Sequence, residues 1–197
     1  MSFATRGFSG RRREQDTRLP PGQTLFQAWP VLSAGPTPHV DTGDWELTIR
    51  DETGTGHRWS WEEFLQLGTE DVTVDIHCVT HWTKLDMAWR GVSFDKLFEN
   101  VESAHEFVMV HSYGGYTTNL PLEDLLGGKA WIATEAEGQP LQPEHGGPAR
   151  LLVPHLYFWK SAKWVRGLTM MPDDDPGFWE QHGYHIHGDP WKEQRYR

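Results

Sequence analysis

Cysteine is almost absent: Cys78 stands alone in 197 residues. No internal disulfide can form, so the thiol is a buried small hydrophobe, a nucleophile or a metal ligand. Long apolar runs are also missing, and none approaches the ~20 residues that a membrane-spanning helix needs. Arg11, Arg12 and Arg13 lead into Glu14, Gln15 and Asp16 rather than into an apolar h-region, which excludes a twin-arginine export signal. One cysteine and no signal point to a reducing, cytoplasmic location. Basic charge is in deficit, and the net charge of −10 argues against nucleic acid as the main partner. There is no haem-attachment motif, no internal repeat and no linker.

Glycine, proline and tryptophan are plentiful. The 20 Gly and 13 Pro predict many turns and short strands rather than a helical bundle. The 11 Trp must be spent on core walls and on a ligand cleft. Residues 1–24 are Arg-, Gly- and Pro-rich and read as an arm, while residues 25–40 are irregular but too apolar to be free. Residues 44–50 alternate, with Trp45, Leu47 and Ile49 on one face, which predicts a strand. Ser60 and Glu63 form a capping-box pattern that predicts a helix over 61–67, closed by Gly68.

The strand predicted over 71–78 puts Val72, Val74, Ile76 and Cys78 on one face, with the thiol at its end. A loop is expected over 79–90, then a capped helix over 93–98 and a strand over 106–112. Pro121 is expected to open a helix that Gly127 and Gly128 close. Further strands fall at 130–136, 149–153 and 161–170. The domain thus runs over 25–171, with an irregular tail of Asp, His and Trp over 172–197 packed on it. The class is α+β, strand-rich, with short helices over a curled mixed sheet.

Three chemistries can be drawn from these residues. His77, Cys78 and His81 cluster, as do His182, His185 and His187, and zinc takes such ligands. His77 and Cys78 face opposite ways on a strand, so a zinc site would use Cys78, His81 and the tail histidines. An anion site is suggested by Arg150, which follows the glycine-rich turn 144–149, and by Lys163. A non-enzymatic β-rich binding module with a Trp surface is the third.

The run His145, Gly146, Gly147, Pro148, Ala149, Arg150, Leu151, Leu152, Val153, Pro154, continued by Ser161, Ala162, Lys163 and Trp164, resembles a signature of the sulfite oxidase family. The turn 137–141, the segment Gly115-Tyr116-Thr117-Thr118-Asn119-Leu120-Pro121-Leu122, and Cys78 followed by Trp89-Arg90-Gly91-Val92 are similar to three more of its motifs, in order. The resemblance spans roughly residues 40–171. It implies a sulfite-oxidase-type molybdopterin-binding fold and a molybdenum-dependent oxidoreductase performing oxygen-atom transfer on a small-molecule substrate.

The resemblance makes Cys78 the molybdenum ligand and Tyr116 a catalytic, substrate-side residue. It puts Ser112, His145, Arg150, Ser161, Ala162 and Lys163 at pterin-binding positions, and residues 26–32 where further pterin contacts arise. His81, Trp82, Lys84 and Trp89 are expected around the substrate pocket. Thr83 and Lys84 stand where sulfite oxidases keep arginines, which disfavours sulfite. Nothing resembles the haem or dimerisation domains of animal sulfite oxidases, so electrons are expected from a separate partner. The compact methionine sulfoxide reductases of this fold are exported, and the missing signal argues against that role. The His-rich tail is expected to fold back over the pocket.

Overall fold

The structure, a computed structural model, describes residues 17–54 and 56–197. The tri-arginine run lies outside the described residues. Strand β2 (Glu46–Arg50) forms as its alternation predicts: Leu47 and Ile49 are wholly buried, and Trp45 caps the same face. Burying each aliphatic side chain contributes about 1.5–3 kcal/mol. β3 (Gly56–Ser60) pairs antiparallel with β2 and runs into α1 (Trp61–Gln66). The capping box is made: Ser60 Oγ accepts from Glu63 N at 3.3 Å, and Ser60 N donates to Glu63 Oε2 at 2.8 Å.

β4 (Glu70–His77) carries the predicted face, with Val72 and Val74 half-buried beside buried Ile76 and Cys78. The loop expected over 79–90 is instead almost all strand: only a tight turn separates β4 from β5 (Trp82–Ser93). Met87 and Trp89 do alternate with more exposed neighbours. A register shift opposite Val74 and Ile76, where Asp86 takes φ 52°, breaks the period and hides the strand. β5 is the spine of the first sheet. It pairs with β4, with β1 (Thr24–Leu25) in parallel, and with β8 (Trp131–Ala136). β9 (Gln139–Pro140) and β10 (Arg150–Leu152) extend that sheet from β8. At the β5–β8 crossing a Cβ on Gly91 would meet Ile132 O at 2.3 Å, so only glycine allows that approach.

The second sheet runs β3, β2, β11 (Val165–Met171), β6 (Phe107–Ser112), β7 (Thr117–Pro121), with β2 and β11 parallel. The strand-rich α+β class holds, and the mixed sheet expected from the sequence is built as two mixed sheets. They share one core, to which Leu47, Val110 and Leu168 come from the second sheet and Val92, Ile132 and Leu151 from the first. A separate apolar cluster around Ile76, Met87, Trp89 and Tyr157 lies under the β4 side.

Several elements are shorter than the sequence suggests. α2 (Phe94–Phe98) begins without a Ser93 side-chain cap, and Phe94 N bonds to Ala130 O instead. Pro121 ends a strand, and only one 3-10 turn, Leu122–Asp124, follows it. Gly127 and Gly128, both at positive φ, donate to the Asp95 carboxylate at 2.8 and 2.7 Å. The strand drawn from 161 begins at Val165, because residues 161–164 turn around Arg150. The tail contains α3 (Phe178–Gln181) and packs on the domain. Buried Lys160 bonds to Glu180 Oε1 at 2.7 Å and to Ile186 O at 2.6 Å. Asp124 holds His155 and His187 at 3.0 and 2.8 Å.

Candidate functional site

A cavity of about 480 Å³ opens between the two sheets and the tail, within the size range of small-molecule and cofactor sites. Of the residues singled out in the sequence, Cys78, Trp82, Tyr116, Arg150, Ser161, Ala162 and Lys163 all line it.

Cys78 begins the turn between β4 and β5. Its N–H donates to Trp82 O at 2.8 Å, and its carbonyl accepts from His81 N at 3.1 Å. The thiol is 6% exposed and lies 3.1 Å from Thr80 Oγ1. Burial pushes its pKa up, against a smaller downward pull from Thr80. A catalytic cysteine nucleophile needs the opposite shift, so this thiol is poorly suited to act alone. A soft metal ion deprotonates such a thiol on binding, whatever its resting pKa.

At the other end, Arg150 starts β10 and is 1% exposed. Its Nη1 donates to His145 O at 2.8 Å and its Nη2 to Ser161 O at 2.7 Å. Its guanidinium carbon sits 4.2 Å above the Phe158 ring. The glycine-rich turn makes this placement feasible: Gly146 has φ 107°, and a Cβ on Gly147 would meet Leu141 O at 2.1 Å. Lys163 Nζ donates to Leu32 O at 2.7 Å and Glu144 O at 2.6 Å. Neither cation has a carboxylate partner among the described residues. Burial pushes Arg150 down to about 9, and burial with the Arg150 charge pushes Lys163 down to about 8. A buried guanidinium beside a half-buried ammonium, without a counter-charge, is costly, and a bound anion would relieve both.

This strain carries a pH signature. Below about pH 8 both folded and unfolded Lys163 are charged, and the penalty on the folded state is constant. Between there and about 10.4 the unfolded amine keeps a proton that the folded one has lost, so stability rises with pH. In cofactor-free protein the melting temperature of wild type should climb relative to Lys163→Gln across that window. Saturation with a phosphate-bearing ligand should flatten the difference, and no climb without ligand would contradict the unpaired-cation reading.

Tyr116 is half-buried, and its hydroxyl donates to Trp159 O at 2.7 Å. Burial, then the Glu180 carboxylate, push its pKa well up, so it stays protonated. His145 lies just outside the lining and stacks on Trp29, ring centroids 3.8 Å apart, while Trp29 itself faces the cavity. Ser112 Oγ and His145 Nδ1 are buried without hydrogen-bond partners.

Three expected substrate-pocket residues stand elsewhere. His81 takes φ 71° and turns its Nδ1 to Gly22 O at 2.9 Å. Lys84 points along the sheet toward Glu137, 3.9 Å away. Trp89 backs Arg150 from beneath, its ring 5.8 Å from the guanidinium carbon. The zinc arrangement is not assembled. His182 Nδ1 is bonded to Phe178 O, and His187 to Asp124. Among the described residues no group of three or more His, Cys, Asp or Glu could hold a metal ion.

Two parts of the wall come from segments singled out in the sequence, Trp29, Pro30 and Leu32 from residues 26–32 and Phe178, Trp179 and Tyr184 from the tail, while residues 33–38, Phe158 and Trp159 had not been singled out. Residues 29–38 close one side, and Phe158, Trp159, Phe178, Trp179 and Tyr184 supply an aromatic wall. The excess of tryptophan and the pairs Phe158-Trp159 and Phe178-Trp179 were the available signals.

The sequence model of the oxidoreductase molybdopterin binding domain family matches residues 34–179. The chain belongs to this family, a sulfite oxidase-like group of molybdopterin-binding oxidoreductases. It is 41% identical over 189 residues to the Bacillus subtilis protein named uncharacterized oxidoreductase YuiH, covering 94% of this chain and 96% of that one. It is 23% identical over 186 residues to the catalytic subunit MsrP of protein-methionine-sulfoxide reductase from Pseudomonas syringae, covering 82% of this chain and 54% of that protein. Among solved structures, the sulfane dehydrogenase SoxCD of Paracoccus pantotrophus matches with a TM-score of 0.63 at 19% identity, covering 75% of this chain and 42% of that one. That likeness shows the fold.

Proposed function

We propose that the cavity holds molybdenum with molybdopterin and that the chain catalyses oxygen-atom transfer to or from a small neutral substrate. The observation that carries this reading is the pairing, in one cavity, of a lone buried thiol with a buried guanidinium and a half-buried ammonium that have no carboxylate partner among the described residues. The donor set fits the group. Cys78 offers the soft sulfur that molybdenum takes, and Arg150 and Lys163 offer the charge that the pterin phosphate needs. Ser112 and His145 stand outside the lining, although each keeps a buried polar atom without a partner among the described residues, and Ser161 and Ala162 form the turn that the group would lie against.

When bound, the molybdenum centre supplies the two-electron oxygen-atom chemistry. The protein's own residues hold it, exclude water and orient substrate. Trp82, Trp159 and Trp179 make the walls near Cys78 apolar, and Tyr116 stands protonated among them. Arg150 and Lys163 are the cations of the lining, and the cofactor would neutralise both. Thr83 is buried with its hydroxyl 2.9 Å from His77 Nδ1, and Lys84 faces away, so among the described residues the lining offers no further cation to receive an oxyanion. A neutral substrate fits this pocket better than sulfite. Electrons would come from a separate partner.

The test uses molybdenum-loaded enzyme with a reduced viologen dye as electron donor. Reducing a sulfoxide consumes two electrons and two protons and yields sulfide and water. Neutral aryl or alkyl sulfoxides should support dye oxidation, and sulfite should reduce an oxidised dye acceptor at least about a hundredfold less efficiently, the discrimination expected when a charge is desolvated without a partner. Efficient sulfite turnover would contradict the substrate assignment.

A further inference from the structure

We propose that Arg195, eighteen positions beyond Gly177 in the C-terminal tail, is a positioning residue that fixes the turn carrying Cys78. The inference rests on the reading of Cys78 as the metal ligand.

The turn closes on itself through Cys78 N to Trp82 O and His81 N to Cys78 O, with His81 in the left-handed region at φ 71°, a conformation less favourable for a residue with a side chain than for glycine. The turn's remaining carbonyl contacts show what else holds it. Cys78 O accepts from Gln23 Nε2 at 3.0 Å, and His81 O accepts from Thr24 N at 2.9 Å. These hold the turn from the N-terminal side. Val79 O, between them, accepts from Arg195 Nη1 at 2.8 Å. The same guanidinium reaches Pro21 O through Nη2 at 3.4 Å, so one side chain ties the turn to the N-terminal segment that also grips it.

Arg195 is built into this place. It is 7% exposed, its guanidinium carbon lies 4.9 Å from the Tyr157 ring centroid, and it makes no ion pair with a carboxylate among the described residues. A buried guanidinium spent on backbone carbonyls is an expensive way to add stability alone. It is an effective way to fix a carbonyl, because its donors sit in a rigid fork. The tail aims it. Asp189 caps the turn 190–192, Glu193 reverses the chain at φ 52°, and Arg195 O accepts from His185 N at 3.1 Å. Gly188 O accepting from Tyr157 N at 2.8 Å anchors the whole segment beside the Cys78 strand.

The family match ends at residue 179, so what the family shares gives Arg195 no role.

Two readouts test the proposal. The first is the rate at which an aromatic disulfide reagent modifies Cys78, the only thiol, in folded cofactor-free protein. The second is the molybdenum retained by loaded protein after gel filtration. Arg195→Ala should raise the modification rate about tenfold or more, the scale set by losing a charge-assisted hydrogen bond, and should lower molybdenum retention. Arg195→Lys keeps one charged donor and should raise the rate a few-fold. Asp174→Ala removes the tail's contact with Asn119 Nδ2 at 2.6 Å, far along the chain from Arg195, and should leave the rate at the wild-type value. A wild-type rate in Arg195→Ala would overturn the proposal, as would an equal rise in Asp174→Ala. If the alanine variant does not fold, an unchanged rate in Arg195→Lys overturns it instead. Retention of molybdenum by Cys78→Ala would sink the ligand reading, while the thiol rates would still decide whether Arg195 fixes the turn.

Discussion

Cys78→Ala should bring molybdenum to background and leave the fold standing. The thiol contributes a small apolar volume and one contact with Thr80, so its loss should cost about 1 kcal/mol of stability, read from urea or thermal melts. The effect on turnover should be far larger. Withdrawing a metal's contribution of several kcal/mol lowers the rate by at least about a thousandfold. The contrast between the two magnitudes is the point of the experiment. A core cysteine would give the small stability loss with unchanged metal, and an active-site nucleophile would give lost turnover with unchanged metal. Loss of both metal and turnover in a folded protein belongs to a ligand.

Arg150 substitutions should give the second large effect, with a different signature. Arg150→Ala removes the partner of two buried carbonyls, His145 O and Ser161 O, as well as the charge. It should destabilise the cofactor-free protein by about 1–3 kcal/mol for each carbonyl left unsatisfied and abolish cofactor loading. Arg150→Lys keeps a charge but cannot span both carbonyls and an anion. It should fold, yet bind the cofactor roughly 10- to 100-fold more weakly, as judged by molybdenum retained through dialysis. If Arg150 were only a structural clamp, the lysine variant would lose stability and keep full molybdenum occupancy.

The sequence was most legible where a local rule acts within a few residues. The Ser60–Glu63 capping box and the alternation of Trp45, Leu47 and Ile49 need no tertiary information, and both formed as read. β5 was lost because its period is broken by the irregularity at Asp86, and because pairing with three neighbours, rather than its own pattern, makes it a strand. The helix expected after Pro121 failed because Gly127 and Gly128 serve the Asp95 carboxylate instead of closing a helix.

The cavity divides the same way. Cys78, Arg150 and Lys163 carry distinctive chemistry and stand in recognisable runs, so they could be picked out before folding. The aromatic wall could not: Trp159, Trp179 and Tyr184 come from segments distant in sequence, and long-range contacts such as the Lys160–Glu180 pair draw the tail against them. His81, Lys84 and Trp89 follow Cys78 closely in sequence, yet none of them lines the cavity. Nearness in sequence fails at a strand turn, where successive side chains leave on opposite faces.

The most direct test of the central claim is elemental analysis of the purified chain, for molybdenum and zinc together, from a molybdenum-replete host. An established sulfite oxidase prepared alongside would show that the host loads the cofactor. Close to one equivalent of molybdenum per chain in wild type, and background in Cys78→Ala, is the result expected. Background molybdenum in wild type beside a fully loaded control, or full occupancy in Cys78→Ala, would contradict it.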